Sequence, residues 1–472
     1  MTLLGAAPRA APWTRLQLAL ALGGGLSLAA AALFAARRVL SAADAAATGI
    51  DADAEAPTAG APPSGALFCL LVDNGSLRAA SVAALRALAA AVEARAASTT
   101  AAAATAAEAA EAAAAVAATA AAAAAAARAA ASPTAATPVP PTLTPLRVRV
   151  IATSARISDR IVRGAELEAA GGAHDLVVQD AVARLWTEAG ARRFVVLPAF
   201  VGPSETVTDF VPRLLDRLRD GTAGGRKSAA ATSNAADTVA AALPPLRGLS
   251  YLVARPAVVA AETGDMRVAG VLADHVRAAI SAAAAEAAAA QEPPPLAPNS
   301  SLVAALASGE LVVAVCDHGS PSAAVAAVRD HVATQLRALL LADGAGDEAG
   351  AGAGVIACSM ERRAGAEYDF CEPSLAGVLR SARASEARLV IVALLFIAPG
   401  KHAGPGGDIA EIVAAAQAER TAAADSSATA AATRQAPRRI IVMTRLLGEH
   451  PAFADVLAGR LDEVLRSLPA SH

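Results

Sequence analysis

Residues 311–320 read "LVVAVCDHGS", and residues 67–76 read "LFCLLVDNGS". Each is an apolar run that stops at an aspartate and enters a glycine-serine turn. A run that is apolar at every position, without alternation, reads as a strand buried on both faces, the mark of a parallel sheet covered by helices. An amphipathic stretch follows each: "AASVAALRALAAAVEA" (79–94) and "SAAVAAVRDHVATQLRALL" (322–340). The two phrases differ most plainly at one place, where His318 in the second stands against Asn74 in the first.

The duplication runs on from there. A second strand reads "RVRVIAT" (147–153) or "GVIACSM" (354–360), and a helix reads "QDAVARLWTEAG" or "EPSLAGVLRSAR". A third strand, "RRFVVLPAF" (192–200) or "RLVIVALLF" (388–396), leads through a proline loop into "DFVPRLLDRL" or "DIAEIVAAAQAE". The last strands are "LSYLVAR" and "RIIVMTR", and the last helices share "AGVLADHV" (269–276) and "ADVLAGRL" (454–461). Strands alternating with helices in this order predict an α/β fold: two similar doubly wound parallel-sheet domains in tandem.

The expected division is a leader and spacer at 1–65, a first domain at 66–290, a Pro-rich linker at 291–301 and a second domain at 302–472. Low-complexity insertions at 98–136 and 221–245 interrupt the first domain, and 342–353 and 420–437 fall at the matching joints of the second. Insertions that recur at the same joints read as surface loops outside a shared core. Within the leader, residues 16–36 are uncharged and closed by Arg37 and Arg38. They suit a cleaved signal, an organelle-targeting leader or a weakly apolar membrane anchor.

Composition narrows the function. A formal net charge of −3 over 472 residues and an aromatic content of 3% argue against a nucleic-acid surface, which needs clustered Lys and Arg and stacking rings. Cys69, Cys316, Cys358 and Cys371 form no CxxC pair and read as small buried hydrophobes in a reducing compartment.

In doubly wound sheets ligands bind beyond the carboxyl ends of the strands. The second copy carries His318 after its first strand, Asp369 and Glu372 after its second and His402 after its third. Ser320 is expected to cap the following helix, with Pro321 as its first residue. Two imidazoles and a carboxylate converging on one cleft suit a divalent transition metal with an open position for substrate. Aligned on the strands, His318, Glu372 and His402 become Asn74, Gln179 and Thr206 in the first copy. The candidates are lost as a set while the scaffold is kept, so the first copy reads as degenerate. His331, His275 and His174 have nothing around them that suggests a site and read as surface residues.

The phrases "VCDHGS" (315–320), "DFCEPSL" (369–375), "APGKH" (398–402) with Asp408-Ile409 downstream, and "LLGEHPAFADVL" (446–457) resemble the sirohydrochlorin chelatases, the class II tetrapyrrole chelatases of sirohaem and cobalamin synthesis. The resemblance covers all of the second copy and the first more weakly. It implies a lyase that inserts Fe(II) or Co(II) into sirohydrochlorin without an organic cofactor. It implies His318 and His402 as catalytic, metal-binding and proton-accepting histidines, with Asp369 and Glu372 as the acidic motif between them. A polycarboxylate substrate implies a basic rim, with Ser320, Lys401 and Arg445 as substrate-binding residues and Arg362 and Arg363 as further cations. The chain departs from the family in having Pro321-Ser322 where Arg or Lys usually follows the turn, and in a longer Gly-rich loop after His402.

The tandem form implies a monomer acting as a pseudo-dimer, with the cleft between its halves and membrane contact confined to residues 16–36. A targeting leader would place sirohaem synthesis in a plastid. The competing reading, from another class, is a metal- or tetrapyrrole-binding carrier without turnover.

Overall fold

A computed structural model describes residues 67–75, 78, 80–99, 148–154, 177–221, 244–254, 258–259, 264–296, 301–342, 354–426 and 440–467. The leader, most of each insertion and His174 lie outside these residues. In the N-terminal half the elements are β1 (Leu67–Asp73), α1 (residues 80–99), β2 (Val148–Ser154), α2 (Val178–Glu188), β3 (Arg193–Pro198), α3 (Val211–Asp220), β4 (Ser250–Val253) and α4 (Arg267–Ala289). The C-terminal half opens with a short helix that the sequence reading does not anticipate, α5 (Leu302–Ser308). It continues with β5 (Leu311–Asp317), α6 (Ala323–Leu341), β6 (Val355–Ser359), α7 (Leu375–Arg380), α8 (Ala382–Glu386), β7 (Leu389–Leu394), α9 (Asp408–Ser426), β8 (Ile440–Met443) and α10 (Pro451–Ser467).

Two four-stranded sheets form, ordered β2-β1-β3-β4 and β6-β5-β7-β8, with every pairing parallel. The duplication is exact in register. Val72 pairs Pro198 and Thr153 in one sheet, where Cys316 pairs Leu394 and Cys358 in the other. The central strands are buried along their whole apolar runs, as a sheet covered on both faces requires.

The two halves share a core. A single apolar cluster joins Leu71, Val195 and Val276 of the first to Val313, Ile391 and Leu457 of the second. The terminal helices are exchanged, since α4 packs on β7 and α10 packs on β3. Polar bonds follow the same exchange. The guanidinium of Arg460, on α10 and buried, donates to Val258 O at 3.0 Å and to Asp265 Oδ2 at 2.5 Å. Arg95 of α1 donates to Asp455 and to Pro451 O.

His275 corrects the surface assignment. It lies on α4, buried at 4% exposure, with Nε2 3.1 Å from Leu446 O and its ring edge-on to His450 at 5.1 Å between centroids. An apolar helix exchanged between halves buries whatever polar residue faces its host, and no local signal reveals that. The four cysteines are free and buried, as expected.

Candidate functional site

The site grows from the end of β5. Asp317, buried at 7% exposure, is the last strand residue, and its Oδ1 accepts from Gly319 N at 3.2 Å and from Ser359 Oγ at 2.6 Å. Burial raises the Asp317 carboxyl above the ordinary carboxylate range, while the Ser359 bond and the Arg329 charge act against it. Gly319 takes φ +88°, and a Cβ there would lie 1.9 Å from Glu361 O, so only glycine passes this turn. His318 is therefore fixed in backbone on both sides. Its Nδ1 lies 2.8 Å from Gly319 O, and its Nε2 lies 3.6 Å from Glu361 Oε1.

The turn departs from expectation in one detail. The α6 cap is Ser322, not Ser320, and Pro321 precedes the helix. Ser320 Oγ instead accepts from Ser322 N at 3.1 Å, and Ser320 O accepts from Cys371 Sγ at 3.3 Å. A wider turn separates strand and helix because the Gly319 backbone first bends toward Glu361.

His402 comes from the loop after β7 and meets His318 directly. Their rings lie edge to face, 4.4 Å between centroids and 74° apart. His402 Nδ1 lies 2.6 Å from Asp408 Oδ2, at the first residue of α9. Lys401 Nζ is 3.9 Å from the same oxygen, and the Asp408 carboxyl is held below its usual range chiefly by the His402 bond. A carbonyl and an ionised carboxylate only accept, so Nδ1 is the donor in both rings. In its neutral form each ring keeps Nε2 as the lone-pair nitrogen, suited to take a metal or a proton.

Asp369 and Glu372 are gathered around Arg362. Arg362 NH1 donates to Asp369 Oδ1 at 2.7 Å and to Glu372 Oε1 at 3.2 Å, and Glu372 Oε2 also accepts from Ser374 N at 2.8 Å. Among the described residues no three His, Cys, Asp or Glu side chains form a ready metal cage. The histidine pair is thus assembled, while the acidic pair is held by an arginine. Arg445 is paired with Glu449 at 2.9 Å.

Sequence reasoning missed Glu361, the Asp408 partnership and two arginines. Arg329, at 2% exposure, donates to Ser359 Oγ at 2.5 Å and to Phe370 O at 3.0 Å. Arg78, from the loop after β1, donates to Gly400 O at 2.8 Å, two residues from His402. The N-terminal half therefore touches the loop that carries the site. Only Asp408 had a signal, an acid at a helix start shortly after a histidine.

The equivalences between halves hold at two positions and fail at the third. Counted from paired strand residues, Asn74 replaces His318 and Thr206 replaces His402, and Thr206 Oγ1 lies 3.5 Å from Asn74 Oδ1. Gln179 does not replace Glu372. It sits inside α2, two residues after the cap Val177, whereas Glu372 stands two before the cap Ser374. Asp175 takes the place of Glu372 by that count and lies outside the described residues.

Residues 351–464 match the CbiX family model, the sirohydrochlorin chelatase family, so the resemblance carried by the motifs is shown over that segment. The segment takes in Asp369, Glu372, His402 and Asp408 and begins after His318. None of the curated proteins matches the chain significantly. Among solved structures, "SirB from Bacillus subtilis with Fe3+" is 9% identical with a TM-score of 0.42, covering 84% of this chain and 95% of that one. DR2241 from Deinococcus radiodurans, described as a multi-domain protein with structural similarity to chelatases and two additional novel domains, is 14% identical with a TM-score of 0.36. That likeness covers 85% of this chain and 54% of the other.

Proposed function

We propose that this chain, with its CbiX match over residues 351–464, is a tetrapyrrole metal chelatase inserting Fe(II) or Co(II) into sirohydrochlorin. The observation that carries the reading is the His318–His402 pair, 4.4 Å between ring centroids at the carboxyl ends of β5 and β7. Metallation must deliver a cation and remove two pyrrole protons, and a neutral imidazole serves as both transient ligand and base. Asp408 fixes the His402 tautomer and balances the charge that ring acquires on taking a proton. Asp369 and Glu372 would join the metal on release from Arg362, and Ser320, Lys401, Arg362, Arg363 and Arg445 would meet the substrate's carboxylates.

In this reading the N-terminal half is a scaffold that closes the cleft, so that one chain does what a pair of short chains would do. Fe(II) is the substrate if the leader directs the protein to a plastid.

The test is anaerobic incubation of the full chain with sirohydrochlorin and either metal, following the tetrapyrrole absorption spectrum. Metallation above the spontaneous rate, lost in both His318→Ala and His402→Ala, is the expected result. A shifted but static spectrum would replace catalysis by carriage.

A further inference from the structure

A fully buried arginine with no ligand of its own needs an explanation. Arg329 projects from α6 into the space between the ends of β5, β6 and the acidic turn. Its NH1 donates to Ser359 Oγ at 2.5 Å, and Ser359 Oγ in turn donates to Asp317 Oδ1 at 2.6 Å, the atom that also receives Gly319 N. That chain ends on the Asp317 carboxyl and the Gly319 amide, the residues on either side of His318. Its NH2 donates to Phe370 O at 3.0 Å, and NH1 lies 3.5 Å from Cys371 O. That second branch holds the backbone between Asp369 and Glu372. Its Nε donates to Asp330 Oδ1 at 2.8 Å. One guanidinium thus ties the histidine turn to the acidic turn.

The N-terminal half supplies an internal control. Leu85 stands at the same distance after Asp73 as Arg329 after Asp317, and it too is buried. The aspartate and the strand ends are kept there, so the fold itself accepts an apolar residue at this place. Replacing a buried ion pair by a hydrophobic residue is often neutral for stability. Counted from the aspartates, the place of Arg329 holds a leucine in the half without the histidines, with Arg86 the next residue along.

We propose that Arg329 is a positioning residue for the site, setting His318 and the Asp369–Glu372 turn in one geometry; this rests on the chelatase reading above.

The test uses the full chain with Arg329→Leu, the residue of the other half, and Arg329→Lys, with His318→Ala as baseline. Co(II) chloride is titrated against each protein and followed by its visible absorption, then metallation of sirohydrochlorin is measured. Arg329→Leu should keep its circular dichroism and lose Co(II) affinity and kcat by about tenfold to a hundredfold. KM for the tetrapyrrole should hold, and Arg329→Lys should recover part of the loss. Unchanged Co(II) affinity and kcat in a folded Arg329→Leu would overturn the proposal. If that variant unfolds, an Arg329→Lys protein indistinguishable from the parent overturns it. Parent protein whose Co(II) spectrum does not depend on His318 would overturn the chelatase reading itself, and the inference with it.

Discussion

Thr206 Oγ1 faces Asn74 Oδ1 at 3.5 Å in the N-terminal half, in the two places that His402 and His318 occupy at ring contact in the other. Neutral hydrogen-bonding groups stand there in the places of two imidazoles, so the asymmetry between the halves lies in two side chains set on one common backbone.

Asp408 should matter through His402. Its carboxylate accepts from Nδ1 at 2.6 Å and thereby keeps Nε2 as the lone-pair nitrogen. Asp408→Asn offers either a donor or an acceptor to that nitrogen and loosens the tautomer. Co(II) affinity should fall by about tenfold to a hundredfold, with far-ultraviolet circular dichroism unchanged. Equal affinity in a visible titration would show that the carboxylate does not orient the ring.

Asp73 should make stability fall as pH rises through the mildly acidic range. It lacks the arginine that Asp317 has, and burial pushes its carboxyl up to about 6. The folded state then holds a proton that the unfolded chain has released, so stability falls as pH rises from about 4 through about 6. The loss is at most about 3 kcal/mol for a group titrating some two pH units high, and less where solvent reaches it. Asp73→Asn should flatten this slope and raise the urea midpoint near pH 8. An Asp73→Asn midpoint with the same pH slope as the wild type would contradict the assignment.

The opposite sign is expected where the exchanged helices meet. Burial, then the neighbouring His450 and Arg445, lowers the affinity of His275 for a proton, while Leu446 O and Glu449 act the other way. Asp274 lies 3.6 Å from His450 on the same face. A histidine depressed in the folded state is stabilising above the unfolded value, near 6.5, and loses that contribution as pH falls below it. Thermal unfolding at about pH 5 should therefore come earlier than at pH 7.5, and His275→Gln should shrink the difference. An unchanged difference would place the acid sensitivity elsewhere.

The sequence carried the strands plainly, because "LVVAVCD" and "LFCLLVD" admit no other reading once helices are seen between them. It also carried His318 and His402, since each lies at a strand end and turns hydrophilic in an apolar context. Arg329 was hidden in an amphipathic helix, where an arginine reads as solvated until the packing shows it facing inward. The exchange of α4 and α10 was equally silent, because an apolar helix face does not say which sheet it covers. The Glu372 equivalence failed for a related reason: the turn between strand and helix differs in length between halves, and a turn has no periodicity to count along.

That misplacement leads to the last prediction. Gln179 has no exposure in the second position of α2, and neither amide atom finds a hydrogen-bond partner. Thr153 Oγ1, at the end of β2, is likewise buried and unpartnered. Counted from the cap and from the strand pairing, the C-terminal half has Ala376 and Cys358 in these places, so the same architecture closes there without polar groups. Each buried polar group left without a bond costs about 1–3 kcal/mol. Gln179→Leu, close in size and without the amide, should raise the urea midpoint by an amount equivalent to about 1–2 kcal/mol and leave Co(II) binding at His318 untouched. If the variant is less stable than the parent, the amide has a partner in solution, an ordered water between Gln179 and Thr153 being the simplest.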